Sequence, residues 1–162
     1  MTSETLQGPP DAEHPGPRQQ SETLEPEWLL LFSAWGVAAV GTAGSLFFSE
    51  VMGFAPCVLC WYQRICLFPL VVILARALFP LDSGVVRYAL PVAALGWLIA
   101  AYHNLVYLGV VPESLQPCSR GVSCSEELVE WFGFLSIPLL SLLGFTLITG
   151  LLISVSRRSS SR

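Results

Sequence analysis

This chain of 162 residues predicts an all-α membrane protein, a bundle of four transmembrane helices with both termini in the cytoplasm. Three observations carry the prediction. The chain is 53% hydrophobic and only 12% charged, a balance suited to lipid. It contains four long stretches poor in charge, and none of them shows the polar face at helical spacing that a surface helix of a water-soluble protein needs. Its arginines cluster beside alternate links, which sets a direction across the bilayer.

Residues 1–27 are rich in Pro, Gln, Glu, Ser and Gly and bury too little apolar surface to order themselves, so they are expected to form a disordered cytoplasmic tail. They lack the basic start and short apolar core of a signal peptide, which leaves the following span as an anchor. That span, 28–48, carries no ionisable group; about 20 apolar residues cross a hydrocarbon core as a helix. The second, 58–79, is interrupted by Arg64 and Arg76. The third, 88–109, holds only His103, and the fourth, 132–155, holds no charge and leads into a basic tail at 157–162. Residues 28–156 thus form one membrane domain. Pro69 and Pro138 are expected to kink spans two and four.

Arg76 and Arg87 flank the link between spans two and three, while Arg157, Arg158 and Arg162 follow span four. The positive-inside rule makes these cytoplasmic, with Arg18 agreeing. The first link, about 49–56, and the third, about 109–130, then face the oxidising side. The chain has no lysine and a net charge of −4, which excludes the basic face of a nucleic-acid binder.

The chemistry centres on Pro56-Cys57-Val58-Leu59-Cys60-Trp61-Tyr62-Gln63-Arg64. If Pro56 opens a helix, Cys57, Cys60 and Arg64 stand at i, i+3 and i+7 on one stripe, with both sulfurs near the positive end of the dipole. A CxxC at a helix N-terminus beside a cation is a setting for dithiol/disulfide exchange; a structural disulfide or half of a metal site are the alternatives. Cys118 and Cys124 fall in the third link, on the same side as the first pair, and their five intervening residues include a glycine. After them, Ser123 and Glu126 fit a capping box, and Trp131 suits a short interfacial helix or the first turn of span four.

Arginine inside a span costs about 2.5–3.5 kcal/mol at the bilayer centre and less near its edge. Arg64 is therefore expected to stabilise a thiolate at Cys60 or to bind the oxygen of a reducible ring, against the alternative of snorkelling to headgroups. His103, beside Tyr102 and Asn104, is a candidate proton donor to the same pocket or an interface residue. Cys66 has no evident partner and reads as a small buried hydrophobe.

Taken with Pro117-Cys118 through Cys124-Ser125 and Trp131-Phe132-Gly133-Phe134-Leu135-Ser136-Ile137-Pro138-Leu139, the CxxC stretch resembles the DsbB family of disulfide bond formation proteins, and the short second cysteine loop resembles its BdbC branch. The resemblance runs from about Trp28 to Val155. It implies a quinone-dependent disulfide oxidoreductase of the bacterial cytoplasmic membrane that reoxidises an extracytoplasmic thioredoxin-fold partner of the DsbA/BdbD kind and passes electrons to ubiquinone or menaquinone, without a metal. It further implies disulfides Cys57–Cys60 and Cys118–Cys124, with Cys60 nearest the quinone ring, Cys118 joining the partner, Cys124 resolving that bond, and Arg64 and, less firmly, His103 at the quinone. Two features depart from the pattern: the Cys118–Cys124 loop is short, and Cys66 has no counterpart role.

A vitamin-K-epoxide-reductase-like enzyme is a rival, although in that family the loop pair precedes the CxxC. A membrane metal-binding protein using Cys57, Cys60, Cys118 and Cys124, or a scaffold with two static disulfides, are rivals from other classes.

Overall fold

The computed structural model describes residues 17–79, 82–111 and 136–160, with side chains from Glu27 onward. These residues are helical throughout apart from short links and contain no strand. Four helices follow in order: α1 (Pro17–Leu46), α2 (Val58–Leu78), α3 (Val86–Tyr107) and α4 (Ile137–Ser160). The segments Glu27–Val51, Val58–Leu78, Val86–Tyr107 and Ile137–Ser160 are each long and apolar enough to cross a membrane.

Each helix packs on its neighbours in sequence, and α4 closes the ring against α1. Short links make α1 and α2, and α2 and α3, run antiparallel, and α4 runs antiparallel to α3, since Asn104 near the end of α3 meets Pro138 at the start of α4, so this is an up-and-down bundle. Its core follows helical spacing: Leu31, Ala34 and Ala38 on α1, Leu70 and Leu74 on α2, and Phe145, Ile148 and Leu152 on α4 are buried. Helix α3 turns a stripe of small residues inward, Ala89, Ala93, Gly96 and Ala100, which lets the helices approach closely. A Cβ at Gly96 would stand 2.6 Å from Cζ and 2.8 Å from Cδ1 of Phe145, so the α3–α4 contact requires glycine there. Trp97 Nε1 donates to Thr146 Oγ1 at 2.9 Å across the same seam. Outward, large apolar side chains are bare: Val40 is 74% exposed and Val72 69%. Such a coat is stable only against hydrocarbon.

The local details differ from the sequence expectation in three places. Helix α1 begins at Pro17, ahead of the expected span start at Trp28, because Pro is pre-organised for a first helical position and the residues after it include good helix formers. Pro138 stands in the first turn of α4, where an N–H has no intrahelical partner, and so has no helical hydrogen bond to break. Pro69 lies inside α2 as expected. Helix α4 continues past the expected span end through Arg157 and Arg158 to Ser160, with cations in its last turn where the dipole favours them.

Two glycines shape the end of the bundle that carries the CxxC. Helix α1 passes into a π-helical turn, Phe47–Val51, and Gly53 (φ 72°) then lets the link reverse direction. Helix α3 ends in a Schellman motif, with Gly109 (φ 70°) donating to the Val106 carbonyl at 3.1 Å and Val110 to that of Leu105 at 3.1 Å.

Candidate active site

Cys57 is the N-cap of α2, in extended conformation, and its sulfur accepts from the Cys60 N–H at 3.3 Å. Pro56 therefore precedes the cap instead of opening the helix: the sulfur satisfies one of the orphan N–H groups of the first turn, so the helix starts at Val58. Cys57 Sγ and Cys60 Sγ lie 2.9 Å apart, within hydrogen-bond distance, and the pair is a dithiol. That contact, aided by His103 and the Cys60 N–H and opposed by burial, holds the Cys57 thiol well below the usual thiol range.

His103 reaches the pair from α3. It is 1% exposed, and its Nε2 lies 3.9 Å from Cys57 Sγ. On its other side, Gln63 Nε2 lies 3.2 Å from His103 Nδ1. An amide N–H donated to Nδ1 leaves Nε2 as the protonated nitrogen, directed toward the sulfur. Cys57, Leu59 and Val106 pack as a small cluster that holds the start of α2 against the end of α3. Asn104 Nδ2 bridges the carbonyls of Ala100 and Pro138, each at 2.8 Å, and so ties the start of α4 to the same end.

Arg64 lies one turn below Cys60 and is buried. Its Nη2 donates to the Ser45 carbonyl at 2.5 Å and its Nη1 to Ser49 Oγ at 3.2 Å, while its Cζ sits 5.6 Å from the Trp61 ring centroid. The π turn at the end of α1 carries Ser49, and the residue before it in the helical ladder supplies the carbonyl. These hydrogen bonds answer the cost of an arginine in a span without snorkelling to headgroups.

All four groups open onto one cavity of about 540 Å³ between α1, α2, α4 and the end of α3, lined by Cys57, Cys60, Arg64 and His103 together with apolar side chains. Gly44 and Gly144 border it from α1 and α4, and a Cβ at either would meet nothing within 4 Å. The arrangement joins a dithiol, a cation and an imidazole in a mostly apolar space between helices, a usual place for a small-molecule site in a bundle.

The structure thus brings together Cys57, Cys60, Arg64 and His103. Cys118 and Cys124, and the expected interfacial helix around Trp131, lie outside the described residues. Cys66 is buried in the main core. Gln63, Ser45 and Ser49 were missed from the sequence; the one signal was a polar amide beside Arg64 in an otherwise apolar helix.

Over residues 25–155 the chain matches the family model described as disulfide bond formation protein DsbB. It is 47% identical over 134 residues to the probable disulfide formation protein of Metapseudomonas resinovorans, covering 82% of this chain and 93% of that one. It is 45% identical over 120 residues to disulfide bond formation protein C of Bacillus subtilis, covering 74% of this chain and 87% of the relative. A probable disulfide formation protein of Deinococcus radiodurans is 44% identical over 131 residues, covering 75% and 85%. No solved structure matches significantly. With four apolar helices around a CxxC and a family match over most of its length, the chain belongs to the DsbB family of disulfide bond formation proteins, multi-pass membrane oxidoreductases.

Proposed function

We propose that this protein reoxidises an extracytoplasmic thioredoxin-like dithiol oxidase, of the DsbA/BdbD kind, and delivers the electrons to a membrane quinone. The observation that carries the reading is the single cavity shared by both CxxC sulfurs, Arg64 and His103. Its donor set suits a quinone: an apolar lining for the ring, a guanidinium for a carbonyl oxygen, and an imidazole N–H. Arg64 and His103 would hold it, and quinone, when bound, supplies the two-electron acceptor chemistry.

Arg76, Arg87, Arg157 and Arg158 belong to the helix ends opposite the CxxC, so the positive-inside rule supports an extracytoplasmic CxxC and cytoplasmic termini in a bacterial cytoplasmic membrane. Residues 1–27 and 157–162 then flank the membrane domain on the cytoplasmic side. The segment bearing Cys118 and Cys124 joins the end of α3 to the start of α4 and belongs to the same side as Cys57.

The relay begins with a partner thiolate attacking Cys118 of the Cys118–Cys124 disulfide, with Cys124 leaving as thiolate. Cys124 regains its proton when the partner's second thiolate attacks the mixed disulfide and departs oxidised, or itself resolves the adduct if the cycle reverses. A thiolate of the reduced loop pair next attacks Cys57, breaking Cys57–Cys60 and expelling Cys60 as thiolate. The remaining loop thiol, deprotonated, attacks its neighbour in that mixed disulfide with Cys57, expels Cys57 as thiolate and restores Cys118–Cys124. Cys57 and Cys60 now hold the two electrons as a dithiol. His103 Nε2–H faces the Cys57 sulfur, and Arg64 places its charge on the Cys60 side of the cavity, so Cys60 is the sulfur from which the electrons leave.

Quinone reduction by the purified protein, with a reduced thioredoxin-like protein as donor and partner thiols counted in parallel, tests the reading. Stoichiometric loss of partner thiols that requires quinone is expected; a thiol count unaffected by quinone would overturn it. The order of the cysteines, CxxC first, supports this reading over a vitamin-K-epoxide-reductase-like one.

A further inference from the structure

The geometry points to a second use of the same sulfurs: the reduced protein captures a thiophilic divalent cation such as Zn²⁺ on Cys57 Sγ, Cys60 Sγ and His103 Nε2, and the bound ion blocks reoxidation. The three ligand atoms lie within 4.8 Å of one another. Tetrahedral Zn²⁺ holds thiolate at about 2.3 Å and imidazole at about 2.0–2.1 Å, which sets sulfurs about 3.8 Å apart. From the 2.9 Å seen here, they need to separate by less than the width of an atom, a small side-chain rotation at the start of α2.

Charge favours this ion at this depth. Two thiolates cancel the two positive charges, and neutral imidazole adds none, so the complex is neutral and escapes most of the cost of placing an ion beside hydrocarbon. Binding releases whatever thiol protons remain on the pair to solvent and changes no oxidation state. Three protein ligands leave a fourth position, and the cavity of about 540 Å³ lies over it with room for a water and a route of entry.

The neighbouring groups are compatible. Arg64 directs two donors to Ser45 and Ser49, and its charge favours a water or anion at the fourth position. Gln63 supplies the outer contact: when Nε2 binds metal, Nδ1 carries the proton, and the amide turns its oxygen to accept it. An amide serves both tautomers of His103, whereas an apolar side chain would serve neither.

The site is gated by redox state, because a Cys57–Cys60 disulfide has no thiolates to offer. The test uses full-length protein carrying Cys118→Ser and Cys124→Ser, so that the loop pair contributes no sulfur. Co²⁺ is titrated into oxidised and reduced samples of this one preparation, followed by displacement with Zn²⁺. A thiolate-to-cobalt charge-transfer band at one equivalent, present only after reduction, is expected. His103→Ala should weaken Zn²⁺ binding by about 100-fold and Gln63→Leu by about tenfold, while Cys66→Ala leaves it unchanged. Equal uptake by the oxidised form, absence of the band after reduction, or unaltered affinity in His103→Ala would each overturn the proposal. Metal uptake is read at equilibrium without quinone or partner, so its failure and that of the electron relay are separable. In the wild-type protein, Zn²⁺ added to the reduced state should slow quinone-dependent turnover and a chelator should restore it; turnover indifferent to saturating Zn²⁺ would refute the block.

Discussion

Gln63 Nε2 lies 3.2 Å from Nδ1 of His103, a bond between two buried side chains on different helices. It fixes which nitrogen of the imidazole faces Cys57. Gln63→Leu should leave Nδ1 unpaired, at a cost of about 1–3 kcal/mol in stability, and slow quinone-dependent turnover about tenfold. Thermal unfolding and steady-state rates check both; turnover at the wild-type rate would show that the orientation of His103 does not matter. Gln63→Glu should keep packing but force Nδ1 to donate, so a loss of rate without loss of stability is expected from that variant.

Arg64→Met keeps an unbranched apolar stem and removes the charge and the bonds to Ser45 and Ser49. The apparent KM for quinone should rise at least about tenfold, equivalent to about 1.4 kcal/mol. The rate at which a reduced partner forms a mixed disulfide should remain within about twofold, because the proposed relay assigns that step to the loop pair. Arg64→His should behave similarly. An unaltered KM would remove Arg64 from the acceptor site.

Cys60→Ser tests the assignment of the electron-donating sulfur. Quinone reduction should cease, with a partner conjugate still forming at Cys118 and visible on non-reducing gels. Quinone reduced at the wild-type rate would make the assignment wrong.

Two glycine substitutions should separate cavity from core. Gly144→Leu adds a Cβ that meets nothing within 4 Å and extends a side chain from the border of the cavity. It should raise the KM for quinone while changing stability by less than about 1 kcal/mol. Gly96→Ala instead drives a methyl into Phe145 and should destabilise the bundle by about 1–3 kcal/mol. Gly96→Ala combined with Phe145→Leu should recover part of that loss, as measured by thermal unfolding in detergent; a double variant no better than Gly96→Ala alone would contradict the contact.

Much of this architecture was legible from composition alone. Long charge-poor segments have one stable form in hydrocarbon, since every backbone group must be satisfied within the segment. That constraint is local, and Glu27–Val51, Val58–Leu78, Val86–Tyr107 and Ile137–Ser160 are each long and apolar enough to cross a membrane. Helix ends were less legible. The cap sulfur of Cys57 and the position of Pro138 depend on one or two hydrogen bonds, which composition does not encode.

The chain's order of residues by itself determined four apolar helices, a CxxC at the mouth of the second, and an arginine one turn further in, because lipid solubility and helical spacing are properties of neighbours in sequence. Tertiary structure decided the rest. The meeting of Cys57 with His103, the orientation of that imidazole by Gln63 and the anchoring of Arg64 on Ser45 and Ser49 join residues distant in sequence. Such contacts are settled only when the helices pack, since the glycines and alanines that set the spacing between helices also set which polar groups meet across it.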